Sequence, residues 1–191
     1  YWFRQNSMHL IILDRDGVIN EDSDSYIKSV DEWVPIPGSI EAIGILYKAG
    51  FTIVVATNQS GIGRQLFSLD DLNAMHDKLN MLVKDAGGKI ANIYYCPHHP
   101  DDDCACRKPK AGLIDTMEKE LGISAQGAFF IGDSLRDLEA GLAKGCTPVL
   151  VETGKGKKTL ATIDADKKSM LPGLVIYDNL AEAADALVKS L

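Results

Sequence analysis

Two aspartates one residue apart follow a short apolar run near the beginning of the chain. Residues 10–13 lead directly into Asp14 and Asp16, and Gly17 comes next. A run this apolar is typical of a buried parallel strand, and the ligands of an open parallel sheet gather at the carboxyl ends of its strands. Two crowded carboxylates repel each other unless a cation or a shared proton offsets them. The pair therefore indicates a site for a metal ion and phosphate, although an acidic turn has the same composition.

A second apolar run, residues 51–58, also ends in polar side chains. The turn that follows it combines a hydroxyl, amides and a glycine, and such groups hydrogen-bond phosphate oxygens well. The same composition occurs in ordinary turns, so this run alone is a weak signal. The candidate phosphate contacts here are Thr57, Asn58, Gln59 and Ser60.

Residues 128–133 form another apolar run, which ends in Asp133. Asp137 lies four positions later, on the same face of the predicted helix, where it can support or help to hold a cation bound at Asp133. The alternative is that Asp133 only caps that helix. Arg107 and Lys108, which are followed by a proline, supply positive charge just before the preceding helix. These cations suit an anionic ligand at the same edge of the sheet.

One short loop carries a second group of residues that could bind a metal. Cys96-x-His98 and Cys104-x-Cys106 supply three thiolates and an imidazole, which is a complete tetrahedral set for structural zinc. A disulfide between Cys104 and Cys106 would be strained and is disfavoured in a reducing compartment. His99 is a minor alternative to His98, whose spacing mirrors that of the cysteine pair. We therefore expect a zinc-binding loop.

The elements that must position these groups alternate between strand-like runs and helical patterns. This alternation predicts right-handed βαβ units and an α/β fold with a doubly wound, Rossmann-like parallel sheet. Residues 20–37 are too few for a cap domain, so we expect a flap near the mouth of the site. Residues 155–168 are polar and rich in lysine, and we expect them to form a solvated segment with modest helical content. The predicted strands cover 10–13, 51–58, 91–96, 128–133, 148–152 and 174–177, and the predicted helices begin near 39, 68, 113, 135 and 180.

Length and composition are typical of one globular domain. The chain has 191 residues, 46% of them hydrophobic, and a formal net charge of −7. That charge argues against nucleic acid as the main partner. No apolar stretch approaches the roughly 20 residues that span a bilayer, and no signal peptide is recognised. We expect a single domain over residues 8–191, preceded by seven residues left from a tag, in a cytoplasmic monomer without a membrane partner.

The polar motifs, taken in chain order, resemble the four motifs of the haloacid dehalogenase superfamily of phosphohydrolases. The resemblance extends over residues 10–152 and implies a role for each motif residue. Asp14 would attack phosphorus to form an aspartyl-phosphate, and Asp16 would protonate the leaving alcohol and then activate water. Thr57 and the backbone of Asn58 would hold the phosphoryl group. Lys108 would neutralise the charge that Asp14 shares with the phosphate.

The same resemblance implies a magnesium ion. Asp14, Asp133 and the backbone carbonyl of Asp16 would hold it, and Asp137 would act as an indirect ligand. A small set of carboxylates suits Mg²⁺, which keeps several of its waters. Charge neutralisation and positioning are what phosphoryl transfer mainly requires. We therefore expect two cofactors. The superfamily resemblance implies Mg²⁺, and the cysteine loop predicts Zn²⁺.

The cysteine loop resembles that of two families within the superfamily, the heptose bisphosphate phosphatases and the histidinol-phosphate phosphatases. The turn after the second strand is closer to the first family, which implies removal of the 7-phosphate of D-glycero-D-manno-heptose 1,7-bisphosphate during lipopolysaccharide core synthesis. Arg64 and Arg107 would meet the distal phosphate of this phosphorylated sugar, because guanidinium groups suit phosphate. Asp22, Ser23 and Ser25 lie where the flap would touch the sugar. Histidinol phosphate is the alternative substrate.

Two functions of another class stay open. A phospho-accepting receiver also has clustered aspartates on a doubly wound sheet, but its accepting aspartate ends the third strand, and the third predicted strand here ends in Cys96. A zinc-binding interaction module would explain the cysteine loop alone. It would not need the aspartates and the lysine as well.

Overall fold

The computed structural model describes residues 9–191. The expectation that the first seven residues do not belong to the domain concerns residues that are not among those described. Six strands form a single parallel sheet in the order β3-β2-β1-β4-β5-β6. The strands are β1 (Leu10–Leu13), β2 (Thr52–Asn58), β3 (Asn92–Cys96), β4 (Phe129–Gly132), β5 (Thr147–Val151) and β6 (Val175–Tyr177). The prediction of a doubly wound parallel sheet is confirmed.

Helices connect the strands and cover both faces of the sheet. They are α1 (Ser39–Lys48), α2 (Leu69–Asp85), α3 (Gly112–Leu121), α4 (Leu135–Ala143), α5 (Gly156–Thr162), α6 (Ala165–Ser169) and α7 (Leu180–Lys189). The short helices α5 and α6 account for the modest helical content expected in the lysine-rich segment. No helix among residues 9–191 is long and apolar enough to cross a membrane.

Burial of β1 on both faces explains why its sequence is apolar without alternation. Ile11 and Leu13 belong to one hydrophobic cluster, which includes side chains of α1, α2 and α7. Leu10 and Ile12 belong to a second cluster, which includes side chains of α3 and α4. A strand covered on both faces needs apolar residues at every position. The core therefore fixes β1 at the centre of the molecule.

The chain reverses its direction of winding between β1 and β4. Strands β2 and β3 extend the sheet on one side of β1, and β4, β5 and β6 extend it on the other. In such sheets the connections after the two central strands leave on opposite faces, and ligands bind in the crevice between them. Asp14 follows β1 and Asp133 follows β4, and Asp14 N–H donates to the carbonyl of Ile131 at 3.0 Å. The two predicted metal ligands thus flank the switch point.

The segment between β1 and α1 forms a short flap and contains no cap domain among the described residues. Its ends are tied together, because Ile36 N–H donates to the carbonyl of Ile19 at 2.9 Å. Trp33 is fully buried under it, and Lys78 of α2 donates to the carbonyl of Trp33 at 2.7 Å. The tip, residues 22–27, is left free to reach the carboxyl edge of the sheet.

Candidate active site

Lys108 lies at the centre of a buried cluster of charges. Its ammonium nitrogen donates to Asp14 Oδ1 at 2.9 Å, to Asp137 Oδ1 at 2.6 Å and to the carbonyl of Ala56 at 2.7 Å. Only 3% of the lysine is exposed. An ammonium group has three protons to donate, so all of them are used. Lys108 is therefore held rigidly beside the carboxylate that the sequence predicts to be the nucleophile.

The carboxylates outnumber the cation that they surround. Burial, followed by the charge of Asp137, raises the pKa of Asp14 well above its usual range. The same two causes raise the pKa of Asp133 to about 7. Burial opposes the charge of Lys108, but Asp137 and Asp14 together raise its pKa, so it stays protonated. Carboxylate oxygens of the three aspartates lie within 4.8 Å of one another. A divalent cation would let Asp14 and Asp133 ionise together, as the chemistry of Mg²⁺ requires.

Two glycines make room for Asp133. Gly17 has a φ of 85°, and a Cβ there would overlap Asp133 Oδ2. A Cβ on Gly154 would overlap the same oxygen. The backbone N–H of Lys155 donates to Asp133 Oδ2 at 2.9 Å, so the loop after β5 fixes the orientation of this carboxylate. Without a Cβ at either glycine, the backbone can approach this carboxylate closely.

Asp137 has a second task besides its ion pair with Lys108. It is the N3 residue of a capping box at the start of α4: Ser134 N–H and Ser134 Oγ donate to Asp137 Oδ2 at 3.2 and 2.9 Å. The cap is therefore formed by Ser134 and Asp137, and the alternative that Asp133 caps the helix is wrong. One oxygen of Asp137 holds the helix and the other holds the lysine. Its role as an indirect magnesium ligand stays a prediction.

Asp16 is surrounded by donors. Asp16 Oδ1 accepts from Arg15 Nε at 2.9 Å, from Arg15 Nη2 at 2.8 Å and from Asn20 Nδ2 at 2.9 Å, and Asp16 Oδ2 accepts from Gln59 Nε2 at 3.2 Å. Burial raises the pKa of Asp16, but the charge of Arg15 and these hydrogen bonds outweigh it, so the pKa is lowered. Asp16 is therefore ionised at neutral pH, as a general base must be.

The turn after β2 holds its polar groups in place through neighbouring side chains. Gln59 Nε2 donates to Thr57 Oγ1 at 2.9 Å, which joins the predicted phosphate hydroxyl to the Asp16 network. The side chain of Asn58 clamps the backbone of Lys108: its Nδ2 donates to the Lys108 carbonyl at 3.2 Å, and its Oδ1 accepts from the Lys108 N–H at 3.0 Å. Asn58 therefore aligns the lysine with the carboxyl edge of the sheet.

One pocket joins these groups to the flap. It is lined by all four predicted catalytic residues and by most of the predicted substrate contacts, the flap residues Asp22 and Ser23 included. Of the described residues expected to contact substrate, Ser25 alone does not line the pocket. Its backbone N–H donates to Ser23 Oγ at 3.1 Å, and its contact with substrate stays a prediction. Lining residues that the sequence analysis did not select are Asp24, Tyr26, Ile27, Ser134, Arg136 and Lys155.

Three arginines form one wall of this pocket: Arg64, Arg107 and Arg136. Burial lowers the pKa of Arg107, and the charges of Arg136 and Arg64 lower it further. Within residues 9–191, Nη1 of Arg107 is buried without a hydrogen-bond partner. The Arg64 guanidinium stacks over the ring of Tyr26 at 5.7 Å. Like charges gathered around an unsatisfied donor are suited to an anion. Arg136 was missed because only folding brings the first turn of α4 to Arg107.

The cysteine loop gathers its four predicted ligands at one point. Cys96 Sγ lies 3.5 Å from Cys104 Sγ and 3.5 Å from His98 Nδ1, and His98 Nδ1 lies 3.2 Å from Cys106 Sγ. Ligands at zinc bond lengths in a tetrahedron are separated by about 3.5–3.8 Å. His99 is turned away and accepts at Nδ1 from the Asp101 N–H at 3.1 Å, which disfavours it as the ligand.

The thiols of this loop cannot all ionise without a cation. Burial raises the pKa of Cys96, and burial with the neighbouring thiols also raises the pKa of Cys106. Burial acts in the same direction on Cys104, but hydrogen bonds, first that from the Arg107 N–H, lower its pKa to about 6. Thiolates are the form that binds zinc, and a metal ion would supply the positive charge that three of them need.

Known proteins resemble this chain closely. A family model described as HAD-hydrolase-like matches residues 105–183. The D-glycero-beta-D-manno-heptose-1,7-bisphosphate 7-phosphatase of Pseudomonas aeruginosa is 53% identical over 183 residues, which cover 96% of this chain and 99% of that protein. The enzyme of the same name from Pseudomonas putida is 52% identical and covers 95% of this chain and 100% of that protein.

A solved structure agrees with these relatives. The D,D-heptose 1,7-bisphosphate phosphatase from B. bronchiseptica, complexed with magnesium and phosphate, is 47% identical and matches with a TM-score of 0.89, over 95% of this chain and 99% of that one. The resemblance predicted from the motifs is thereby confirmed. The chain belongs to the haloacid dehalogenase superfamily, and within it to the family of the D-glycero-beta-D-manno-heptose-1,7-bisphosphate 7-phosphatases.

Proposed function

We propose that this protein removes the 7-phosphate of D-glycero-beta-D-manno-heptose 1,7-bisphosphate by Mg²⁺-dependent hydrolysis. The observation that carries the proposal is the placement of two phosphate-compatible regions in one pocket. Asp14 and Lys108 lie at its floor, and the three arginines form its wall. A sugar with one phosphate at each end suits such a pocket. The names of the relatives support the same substrate and its β anomer.

Asp14 is the proposed nucleophile. One of its carboxylate oxygens forms a bond to phosphorus while the ester bond to the sugar oxygen breaks, and the sugar oxygen takes a proton from Asp16. The phosphate dianion raises the pKa of Asp16 when it binds, because like charges favour the neutral carboxyl. In the second step a water loses its proton to Asp16, attacks phosphorus and releases Asp14. Throughout, the charge of Lys108 offsets the negative charge shared by Asp14 and the phosphoryl group, and the Thr57 hydroxyl donates to a phosphoryl oxygen.

The magnesium ion suits the carboxylates at the switch point. Asp14, Asp133 and the backbone carbonyl of Asp16 are the groups that would hold it, with Asp137 behind them. Magnesium supplies charge neutralisation for the phosphoryl group when it is bound. The residues of the chain position the phosphate, and Asp16 gives up and takes back one proton.

The arginine wall discriminates between the two candidate substrates. Arg64, Arg107 and Arg136 would bind the distal phosphate of the sugar, with the buried Nη1 of Arg107 as a donor that the free protein does not use. Asp22 and Ser23, together with Asn58, Gln59 and Ser60 around the turn, are the remaining proposed contacts. Histidinol phosphate has no second phosphate and carries an amine, so three guanidinium groups disfavour it.

Zinc is the proposed structural metal of the cysteine loop, with Cys96, His98, Cys104 and Cys106 as its ligands. The loop contacts the substrate turn directly, since the Gly63 N–H donates to the carbonyl of Pro97 at 2.8 Å and the Gln59 N–H donates to the carbonyl of Cys96 at 2.8 Å. A loop with so few apolar side chains needs another source of order. Zinc there would hold Arg107 at the pocket wall.

A phosphate-release assay tests the proposed function. The panel contains both anomers of the heptose bisphosphate, heptose 7-phosphate and histidinol phosphate, each with and without Mg²⁺. We expect kcat/KM to be highest for the β-bisphosphate and release to depend on Mg²⁺. Preference for histidinol phosphate would overturn the substrate, and absence of any Mg²⁺-dependent release would overturn the activity in favour of a receiver or a binding module.

A further inference from the structure

We propose that His76 and Arg15 form a positioning relay that holds the Asp16 carboxylate so that only its Oδ2 exchanges the catalytic proton. This inference rests on the proposed function, in which Asp16 is the acid and base. His76 lies in α2, and Arg15 lies between the two motif aspartates. The sequence pattern assigns neither residue a role.

Arg15 is completely buried, which is unusual for an arginine. Its Nε and Nη2 both donate to Asp16 Oδ1, at 2.9 and 2.8 Å. Its Nη1 lies 3.2 Å from His76 Nε2, a ring nitrogen of a residue that is only 7% exposed. The planar guanidinium therefore joins His76 of α2 to the Asp16 carboxylate, with Nη1 on the histidine side and Nε and Nη2 on the aspartate side. Because the group is rigid, the position of His76 sets the orientation of Asp16.

The hydrogen bond between Arg15 and His76 fixes the state of the imidazole. A guanidinium group can only donate, so His76 Nε2 must accept, and the ring proton must lie on Nδ1. Burial, followed by the charge of Arg15, lowers the pKa of His76 to about 3, which agrees with a neutral ring. His76 is thus an acceptor that anchors the far end of the guanidinium. It is not itself a proton carrier in the reaction.

The two oxygens of Asp16 differ in what they can still do. Oδ1 accepts three hydrogen bonds, two from Arg15 and one from Asn20 Nδ2 at 2.9 Å. Oδ2 accepts one, the longer bond of 3.2 Å from Gln59 Nε2, among the described residues. A proton on Oδ1 would displace a donor of a buried guanidinium. The proton that passes to the leaving oxygen, and the proton later taken from water, therefore reside on Oδ2.

The support for this relay is rigid at both ends. Helix α2 begins with a capping box between Ser68 and Asp71, and the His76 ring packs 6.2 Å from the ring of Tyr95 on β3. At the other end, the N–H groups of Val18 and Ile19 donate to the Arg15 carbonyl, so the backbone turns tightly after it. A misplacement of about 1 Å at a catalytic group can cost about 10²-fold in rate. The relay prevents such a shift at Asp16.

The test compares His76→Leu, which removes the acceptor, with His76→Gln, whose amide oxygen can still accept from Arg15. For each variant, the rate of the first step, in which the leaving group is released and Asp14 is phosphorylated, is measured in a single turnover. The substrates are the heptose bisphosphate, whose sugar oxygen must be protonated, and p-nitrophenyl phosphate, whose leaving group needs no proton. We expect His76→Leu to lower this rate on the sugar by about 10- to 100-fold. Its affinity for the sugar should be unchanged, and its first-step rate on p-nitrophenyl phosphate should fall less than about threefold. His76→Gln should restore most of the loss.

The control Asp16→Asn separates failure of the relay from failure of the proposed function. If Asp16→Asn slows the first step equally on both substrates, the acid role of Asp16 is wrong and the proposed function must be revised. If Asp16→Asn slows the first step only on the sugar while His76→Leu slows it on both substrates equally or on neither, the relay is wrong. Nitrogen-15 NMR of the unmodified protein measures the protonation state and tautomer of His76 without any substitution. A neutral His76 with its proton on Nδ1 from pH 5 to 8 supports the relay, and a protonated ring or an Nε2 proton overturns it.

Discussion

The ammonium nitrogen of Lys108 lies 2.9 Å from the carboxylate of Asp14, although 94 residues separate them in the chain. This contact requires the sheet, because it joins the end of β1 to the segment before α3. Asp137 at 2.6 Å completes the arrangement, so one cation serves two buried carboxylates. Its removal would leave both carboxylates in the interior without this neutralising cation.

Lys108→Met should therefore reduce both activity and stability. Loss of one member of a buried ion pair typically costs about 3–5 kcal/mol of unfolding free energy. We expect a lower melting temperature without divalent cations and a smaller deficit with Mg²⁺, because the metal would compensate part of the carboxylate charge. Thermal unfolding with and without Mg²⁺ measures this. Lys110→Met, at a lysine that is 52% exposed in its side chain, is the matched control. A Lys108→Met protein with wild-type stability would contradict the interpretation.

Asp14→Asn should abolish Mg²⁺-dependent phosphate release, with a loss of kcat of at least about 10³-fold. Asparagine keeps the size of the side chain but cannot form the aspartyl-phosphate. Stability should not fall, because burial and neighbouring aspartates already disfavour the charged form of Asp14. Phosphate release and circular dichroism check both statements. Asp85→Asn, at an exposed position of α2, is the control, and undiminished turnover in Asp14→Asn would remove the proposed nucleophile.

Arg136→Gln should weaken recognition of the distal phosphate. We expect KM for the bisphosphate to rise about tenfold, since one charge-assisted hydrogen bond contributes about 1.5–3 kcal/mol. KM for heptose 7-phosphate should stay the same because that sugar has no phosphate near the arginines. Steady-state kinetics on both substrates give the comparison. Lys158→Gln, at an exposed lysine of α5, controls for net charge. Equal changes on the two substrates would mean that Arg136 does not read the distal phosphate.

Removal of zinc should disorder the arginine wall of the pocket even when Mg²⁺ is saturating. The purified protein is expected to contain one equivalent of zinc per chain, and chelation should lower both the melting temperature and kcat/KM. Cys104→Ser should lower zinc content in the same way. Cys146→Ser is the matched control, because Cys146 is buried elsewhere and donates to the carbonyl of Ala125. Full activity in a protein shown to be free of zinc by metal analysis would contradict the proposed structural metal.

His76 should make stability depend on pH. Its pKa of about 3 in the folded protein is far below that of an unfolded histidine, about 6.5, because burial and the charge of Arg15 outweigh the attraction of Asp16. The unfolded chain therefore binds more protons between these values, and the stabilisation present above pH 6.5 is lost as pH falls. Between pH 7 and pH 5 this loss should be about 2 kcal/mol.

His76→Gln tests that statement, because glutamine does not titrate. Urea unfolding of both proteins at pH 7 and pH 5 gives the difference in unfolding free energy at each pH. The loss on acidification should be smaller for His76→Gln by about 2 kcal/mol. Parallel losses in the two proteins would show that His76 is not buried and neutral.

The sequence by itself determined most of the architecture. All six predicted strands agree with the structure to within one residue at each end. The central strands are covered on two faces and therefore have continuous apolar runs, whereas the edge strand β6 is largely exposed and has only a short apolar run. Asp14, Asp133 and Lys108 could be selected from the sequence because each belongs to a short local motif, which is recognisable without knowledge of distant residues. The cluster of three cysteines and one histidine could be predicted for the same reason, since the spacing of its members within one loop is local.

Only the tertiary structure decided which groups act on one another across the molecule. Arg15, alternating with the catalytic aspartates, has no readable role until α2 brings His76 to it. Arg136 joins the arginine wall because α4 begins beside the segment that carries Arg107. Asp22 and Ser23 line the pocket and Ser25 does not, a difference that the composition of the flap does not show. These outcomes depend on packing between elements that are far apart in the chain, and local residue patterns do not contain that information.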